Sequence, residues 1–262
     1  MSVTTMPATA TRRRISSSAQ SAMMPHIVRA FELADVSDAP FSHLFARDIF
    51  PTDVYQQMLT NLPDPKSYQA QDSKVLDDGT PTRSYYQLDR SGLAAMEEPA
   101  RELWASVVEA VLSDEFKAGV FRQLKTDLSW RFGIKDVEQI ECGPRPRLVR
   151  DVSGYRIAPH PDTRKKVVTM MIYLPQDESQ KDLGTSLYKR KLSLQGITRK
   201  CKRFREIKRF PFIPNSGFAF AVNNCLQKKS WHGREMIKRD AGVRNSLVCT
   251  FWVPEAINFD RP

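Results

Sequence analysis

The chain of 262 residues is long enough to bury one substantial core, and its 41% hydrophobic and 27% charged residues are ordinary for a globular protein. No apolar run approaches the roughly 18–20 residues that cross a bilayer, so we expect no membrane partner. The net charge of +10 is local, since residues 1–30 carry +4 and residues 189–209 carry +9, and it says little about the rest of the chain.

Residues 1–24 are rich in Ser, Thr, Ala and Met and contain no acid. Such a segment cannot bury enough apolar surface to order itself, so we predict a disordered tail before a single domain at 25–262. An organellar transit peptide, which is also Arg- and Ser-rich and acid-poor, is the alternative. Four cysteines without a C-x-x-C pair favour reduced thiols and a cytoplasmic location, and they are Cys142, Cys201, Cys225 and Cys249.

The first part of the domain, residues 25–137, is predicted to combine a strand with several helices. Order is expected to begin near Phe41, where residues 40–46 alternate apolar and polar side chains as a half-buried strand does. A short helix follows from Pro51 or Thr52. Residues 64–92 are polar and turn-rich and predict a long loop. From 97 to 129, apolar side chains recur at helical spacing, which predicts helices packed against a sheet.

The second part, residues 138–262, contains short apolar runs rich in β-branched and aromatic residues. Such runs indicate strands that are covered on both faces. They occupy residues 148–152, 167–174, 218–222 and 247–252. Helices followed by a strand-dense half indicate a mainly β, α+β fold, in which a sandwich or barrel is flanked by helices.

A His-Pro-Asp triplet at 160–162 precedes one predicted strand, and His232 precedes another. His160 and Asp162 share a strand face because they are two residues apart, and the intervening proline places them at a sheet edge or strand end. Two histidines and one carboxylate form the facial ligand set of non-haem Fe(II), which leaves positions open for substrates and oxygen. Arg244 could bind the far carboxylate of a dicarboxylate co-substrate through two hydrogen bonds.

Together these segments resemble the 2-oxoglutarate- and Fe(II)-dependent dioxygenases, in particular the bacterial prolyl-hydroxylase-like group. The stronger part of the resemblance covers LVRDVSGYRIAPHPD, VVTMMIYLP, SWHGRE and GVRNSLVCTFW between residues 148 and 252. The weaker part is PFSHLFARDIFPTDVYQQMLTNLP at 40–63. The resemblance implies a double-stranded β-helix, the jelly roll of cupin-like proteins, with the N-terminal helices packed outside it.

The resemblance also assigns residues to the site. It makes His160, Asp162 and His232 the ligands of Fe(2+), with no catalytic side chain beyond the metal centre. It makes 2-oxoglutarate and O2 the co-substrates. Because related halogenases replace the carboxylate ligand with a small residue, the intact Asp162 favours hydroxylation over halogenation.

The co-substrate subsite follows from the same resemblance. Arg244 is implied as the partner of the distal carboxylate of 2-oxoglutarate. Ser246 shares its strand face and can add a hydroxyl donor. Tyr173 stands where relatives place a tyrosine that touches this carboxylate, and an ordinary core aromatic is the alternative. Arg150 stands where some relatives have a tyrosine, so its role is open.

The primary substrate cannot be named from the sequence, and a small polar metabolite is preferred by analogy with the fold. The basic segment 189–209 predicts a solvated face, with attraction of an anionic substrate as the second interpretation. Its few aromatic residues argue against a nucleic-acid partner. Two alternatives stay open: a zinc-dependent cupin-type enzyme with the same ligands, and a non-catalytic jelly-roll module that binds RNA or protein through this segment.

Overall fold

The computed structural model describes residues 17–191 and 204–254. Within these ranges the helices are α1 (Ser17–Glu32), α2 (Thr52–Thr60), α3 (Arg90–Ala94), α4 (Ala100–Leu112), α5 (Asp114–Gln123) and α6 (Lys125–Phe132). The strands are β1 (Asp35–Ser37), β2 (His43–Arg47), β3 (Gln69–Ala70), β4 (Arg83–Gln87), β5 (Gly143–Asp151), β6 (Ile157–His160), β7 (Lys166–Tyr173), β8 (Ser186–Arg190), β9 (Phe204–Arg209), β10 (Ser216–Ala221), β11 (His232–Arg234) and β12 (Arg244–Trp252).

The strands form two antiparallel sheets, so the fold is a mixture of β-sheet and helix. The large sheet has eight strands in the order β1-β2-β10-β7-β12-β5-β4-β3, and the small sheet has four in the order β6-β11-β8-β9. Phe210, which follows β9, stacks on Phe45 of β2 and Phe218 of β10 with ring centroids 5.5 and 4.9 Å apart. These contacts hold the small sheet against one face of the large sheet.

The central strands β7 and β12 have apolar residues at nearly every position because both of their faces are covered. Met170 and Ile172 of β7 and Leu247 of β12 pack into the core beneath the helices. The alternate residues, such as Met171 and Val248, point to the opposite face. There they line a cavity between the two sheets. One face of these strands therefore packs in the core, and the opposite face lines the cavity.

The helices predicted over 97–129 are confirmed as α4, α5 and α6. Trp104 of α4 is fully buried, and its indole N–H donates to the Asn61 carbonyl at 2.8 Å. Ser113 separates α4 from α5 because its hydroxyl caps α5 by accepting the Phe116 N–H. Leu112, the last residue of α4, is 44% exposed.

Helix α1 revises the prediction for the beginning of the chain. Residues 17–24, which fall in the predicted tail, belong to α1, and residues 1–16 lie outside the described part. Met23, Ile27 and Phe31 of α1 are buried in the core beneath the helices. The Phe31 ring meets Phe116 of α5 edge-on at 5.0 Å. Order thus begins well before Phe41, because this helix has an apolar side that α5 covers.

The long loop predicted at 64–92 is wrong for part of its length. Strand β4 pairs with β5 from Arg83↔Asp151 to Gln87↔Arg147, and β3 pairs with β4. The sequence RSYYQ gave little strand signal because this strand lies near the sheet edge and only Tyr86 in it is buried. Strands from residues 25–137 and from 138–262 therefore share one sheet.

The basic segment 189–209 is only partly described, since residues 192–203 lie outside the described ranges. Arg209 in this segment is neutralised by Glu206 and Glu235 at 2.8 and 2.9 Å. Cys142, Cys225 and Cys249 are free thiols. No helix in the described ranges is long and apolar enough to cross a bilayer.

Candidate metal centre

The two predicted histidine ligands lie side by side because their strands are neighbours. His160 of β6 is directly opposite His232 of β11, and their ring centroids are 4.3 Å apart. As predicted, β6 is an edge strand, and it ends at His160. Asp162 lies just beyond this end, with its Oδ1 4.0 Å from His160 Nε2. One ligand atom from each of the three side chains lies within 4.8 Å of the others, so the group could hold a metal ion.

Backbone carbonyls orient both imidazole rings. His160 Nδ1 lies 3.0 Å from the Ala158 carbonyl and His232 Nδ1 lies 2.9 Å from the Ser230 carbonyl. A carbonyl only accepts, so each Nδ1 carries the proton and each Nε2 keeps a free lone pair. Burial lowers the pKa of His160, and it lowers that of His232 to about 4. Both rings are therefore neutral near pH 7, which is the form that binds metals.

Asp162 is held by two side chains of β7. Lys166 donates to its Oδ1 at 2.8 Å and Thr169 donates to its Oδ2 at 2.7 Å. Burial raises the pKa of Asp162, but His232, Lys166 and the hydrogen bonds from Lys166 and Thr169 outweigh it and bring the pKa to about 2. The carboxylate is thus charged and fixed in position. Two neutral imidazoles and one carboxylate are a donor set that suits Fe(II), and also zinc.

The three side chains line one end of a cavity of about 210 Å³ between the sheets. Arg244 lines the same cavity, as predicted from its spacing. Its guanidinium is buried, with Nη1 donating to Asp151 Oδ2 at 2.9 Å and Nε donating to the Leu183 carbonyl at 2.9 Å. Within the described part of the chain, Nη2 makes only longer contacts, at 3.4 Å to the Thr185 hydroxyl and 3.8 Å to the Met171 sulfur. Nη2 is therefore the part of Arg244 that is free for a ligand.

Sequence reasoning missed two charged residues beside Arg244. Asp151 is completely buried and lies opposite Arg244 in the β5–β12 register. Arg234 lines the cavity two residues after His232, and its Nη1 donates to the carbonyls of Leu183 and Gly184. Arg234 Nε is buried and has no hydrogen-bond partner among the described residues. The alternation of β11, which puts Arg234 on the face of His232, was the only signal for it.

Tyr173 and Ser246 lie close to Arg244 but outside the lining of the cavity. They are opposite each other across β7 and β12. The Tyr173 ring lies 5.3 Å from the Arg244 guanidinium, and its hydroxyl accepts the Thr185 N–H at 3.3 Å. The buried Ser246 hydroxyl has no hydrogen-bond partner in the described ranges. Arg150 points to the other face of β5, away from the cavity that Val149 lines.

The other two histidines each have a ring nitrogen bonded to a backbone carbonyl. His43 is buried with its Nδ1 2.8 Å from the Phe41 carbonyl, and His26 Nε2 lies 2.8 Å from the Asp48 carbonyl. Neither histidine lines the cavity.

No family model matches the sequence, and no curated protein matches it. Solved structures do match. A prolyl-4-hydroxylase from Pseudomonas putida is 10% identical, with a TM-score of 0.50 over 88% of this chain and 100% of that chain. The chain has the fold of this enzyme. The resemblance to bacterial prolyl hydroxylases that the sequence motifs carry is confirmed at the level of the fold.

Other solved structures match as well. HygX from Streptomyces hygroscopicus, solved with nickel and 2-oxoglutarate, is 13% identical over 84% of this chain and 85% of that chain, with a TM-score of 0.47. The dioxygenase for auxin oxidation 1 from Arabidopsis thaliana, solved with 2-oxoglutarate, is 12% identical over 95% of this chain and 83% of that chain, with a TM-score of 0.44.

Proposed function

We propose that this chain is an Fe(II)- and 2-oxoglutarate-dependent dioxygenase that hydroxylates an unactivated C–H bond of a small polar metabolite. The iron ligands are His160, Asp162 and His232. The observation that carries the proposal is the convergence of two free imidazole lone pairs and one ionised carboxylate at the end of a cavity that also holds a buried arginine. A double-stranded β-helix built from the two facing sheets is the proposed architecture.

The metal would supply the oxidation chemistry, and the protein would supply positions and charges. Iron held by His160, Asp162 and His232 would supply the activation of O2, coupled to the conversion of 2-oxoglutarate into succinate and CO2 and to hydroxylation of the substrate. Ala158 and Ser230 hold the ligand rings through their carbonyls, and Thr169 and Lys166 hold Asp162. These contacts keep the three ligands in one arrangement, so little reorganisation is required on binding.

The distal carboxylate of 2-oxoglutarate is proposed to bind at the buried end of the cavity. Arg244 offers Nη2 there, Thr185 offers its hydroxyl, and Arg234 offers an Nε–H that has no partner among the residues described. Donors to a charged acceptor form stronger hydrogen bonds than donors to a neutral one. Ser246 would add a further hydroxyl, and the Tyr173 ring beneath Arg244 would hold the guanidinium in place.

A spectroscopic titration tests this proposal. Anaerobic addition of Fe(II) and then 2-oxoglutarate to the purified protein should produce a visible absorption band, and admission of O2 should release succinate. His160→Ala should abolish both signals because it removes one of three ligands. His26→Ala is the matched control, since His26 lies outside the cavity, and it should keep both.

The alternatives give different results. Absence of the band, together with no succinate over a library of polar metabolites, would exclude the dioxygenase. Activity that needs zinc and is indifferent to 2-oxoglutarate would favour the cupin-type zinc enzyme. Binding of RNA or protein that survives His160→Ala and is lost at high salt would favour the non-catalytic module.

A further inference from the structure

The positive charge around the cavity exceeds the negative charge that its carboxylates and the proposed co-substrate would supply. Among the residues that the structure describes, five cationic side chains line it against one carboxylate, Asp162, and they are Arg83, Arg147, Lys166, Arg234 and Arg244. Asp151, which lies against Arg83 and Arg244, supplies a second negative charge. A divalent metal and the dianion of 2-oxoglutarate cancel each other. A surplus of three positive charges therefore remains for another ligand.

Arg147 and Arg234 are the cations in this set that have no carboxylate partner among the described residues, and Arg234 donates to backbone carbonyls instead. Arg83 and Arg244 bond Asp151, and Lys166 bonds Asp162. Arg147 forms no salt bridge or hydrogen bond through its side chain with the residues that the structure describes. Its guanidinium lies 5.6 Å from the centroid of the Tyr85 ring. Burial and then the charge of Arg83 lower the pKa of Arg147, which is the environment that an anion would relieve.

Arg147 also lies at the open end of the cavity. Arg234 and Arg244, at the inner end, are 6% and 1% exposed. Arg147 and Gln71 are partly exposed, and so is His160, whose side chain is 33% exposed. A substrate that enters from solvent would therefore meet Arg147 and His160 first, while 2-oxoglutarate occupies the buried end.

The chemistry of Arg147 selects the kind of anion. A single free guanidinium, held against an aromatic ring, presents a planar pair of donors that matches one carboxylate. The neighbouring Arg83 already donates through Nε and Nη2 to Asp151 and so has less to offer a phosphate. The cavity of about 210 Å³ is below the roughly 300 Å³ at the lower end of ligand pockets, which favours a small substrate.

We propose that the primary substrate is a small carboxylic acid whose carboxylate is bound by Arg147 at the mouth of the cavity. This inference rests on the proposed function and names the substrate class for it. Arg147 thereby becomes a specificity-determining residue, and the cavity has two separate carboxylate subsites. Arg244 serves the co-substrate and Arg147 serves the substrate.

The test uses a simple carboxylate in place of the unidentified substrate. The full-length protein is loaded with Mn²⁺ and saturating 2-oxoglutarate, and the carbon relaxation of labelled propionate, propionamide and methyl phosphate is measured. A paramagnetic ion speeds the relaxation of nearby nuclei steeply with decreasing distance. Propionate should relax faster than propionamide or methyl phosphate in the wild type.

Two variants test whether Arg147 binds the carboxylate of propionate. Arg147→Gln should weaken the apparent affinity for propionate by about tenfold or more, since hydrogen bonds to charged groups are lost. Arg145→Gln is the matched control. Arg145 lies on the same strand and face, but it contacts Trp252 and does not line the cavity. It should leave propionate binding unchanged.

Three outcomes would overturn the inference. Equal relaxation of propionate and propionamide would show that the anion is not recognised. Stronger Arg147-dependent relaxation of methyl phosphate would indicate that the substrate is a phosphate ester and not a carboxylic acid. Loss of the propionate effect in Arg145→Gln as well as in Arg147→Gln would show that the effect does not depend specifically on Arg147. Failure of the wild type to bind Mn²⁺ would be seen directly in the relaxation of water. That result would contradict the proposed function, and not only the inference about Arg147.

Discussion

Asp151 is a buried side chain that balances the charge of two arginines at this site. Its carboxylate accepts from Arg83 Nε at 2.6 Å and Nη2 at 2.9 Å, and from Arg244 Nη1 at 2.9 Å. Asp151 and Arg244 are both buried, and the Arg83 side chain is only 13% exposed. Water therefore screens this network weakly, and the three charges depend on one another. Asp151 holds Arg244 so that Nη2 is left toward the cavity.

Replacement of Asp151 by Asn should destabilise the protein. The change leaves two buried guanidiniums without a counter-charge, and removal of one partner from a buried ion pair costs about 3–5 kcal/mol. The free energy of unfolding in urea measures this loss. Asp35→Asn is the control, since the Asp35–Arg47 pair is exposed, and it should change the free energy by no more than about 0.5 kcal/mol. Similar stability of the two variants would contradict this account.

At the residue scale, the candidate metal ligands could be predicted from the sequence, whereas the residues that support them could not. His160, Asp162 and His232 could be identified because few residue types bind metals and their spacing is informative. Asp151 could not, because its partner is fixed by the register of β5 and β12 rather than by any local motif. Arg234 was missed for a related reason: its role depends on which face of a three-residue strand it occupies.

Strands β7 and β10 approach each other closely at one glycine. A Cβ atom on Gly217 would lie 2.6 Å from the Met171 carbonyl oxygen and 3.0 Å from the Ile172 Cα. Both contacts are with the backbone, so a side-chain rotation cannot relieve them. Met171 also lines the cavity, which means that the close approach of these strands helps to place the cavity wall.

Gly217→Ala should therefore push the two strands apart. We expect a loss of about 1–3 kcal/mol in the free energy of unfolding, the usual cost of inserting atoms into a packed interior. Thermal and urea denaturation measure it. Gly143→Ala is the matched control, because a Cβ there would meet nothing within 4 Å. An unchanged free energy of unfolding in Gly217→Ala would mean that the backbones of β7 and β10 can move apart here at little cost.

At the element scale, the strands with the clearest sequence signal are those covered on both faces. β7, β10 and β12 have continuous apolar sequences because the helices cover one face and the small sheet the other. β4, β9 and β11 are short or polar, and their pairing comes from long-range contacts that leave little local signal. Helix α1 was hidden by its Ser-rich beginning, although its apolar side is buried against α5.

For the molecule as a whole, the candidate metal ligands connect the two sheets. His160 and His232 belong to the small sheet. Asp162 is tied to the large sheet because Thr169 and Lys166, which donate to it, are residues of β7. A metal ion bound by all three would therefore cross-link the sheets where the cavity lies between them.

Metal binding should consequently raise stability as well as enable catalysis. A metal at 100 times its Kd adds about 2.7 kcal/mol if it binds only the folded state. Removal of the metal with a chelator should lower Tm, and hydrogen exchange should increase most in β6 and β11. His160→Ala should show no such dependence on metal. An equal rise in Tm for the wild type and for His160→Ala would place the bound metal elsewhere.

The pairing of His160 with His232 has a consequence for how the chain can fold. Side chains alternate between the faces of a strand, so a slip of one residue between β6 and β11 would turn His232 away from Asp162. Gly233 beside it resists substitution, since a Cβ there would lie 2.7 Å from the Ile157 carbonyl oxygen. We therefore expect metal binding to report correct strand pairing, since only chains that have paired β6 with β11 in this register bring the three ligands together.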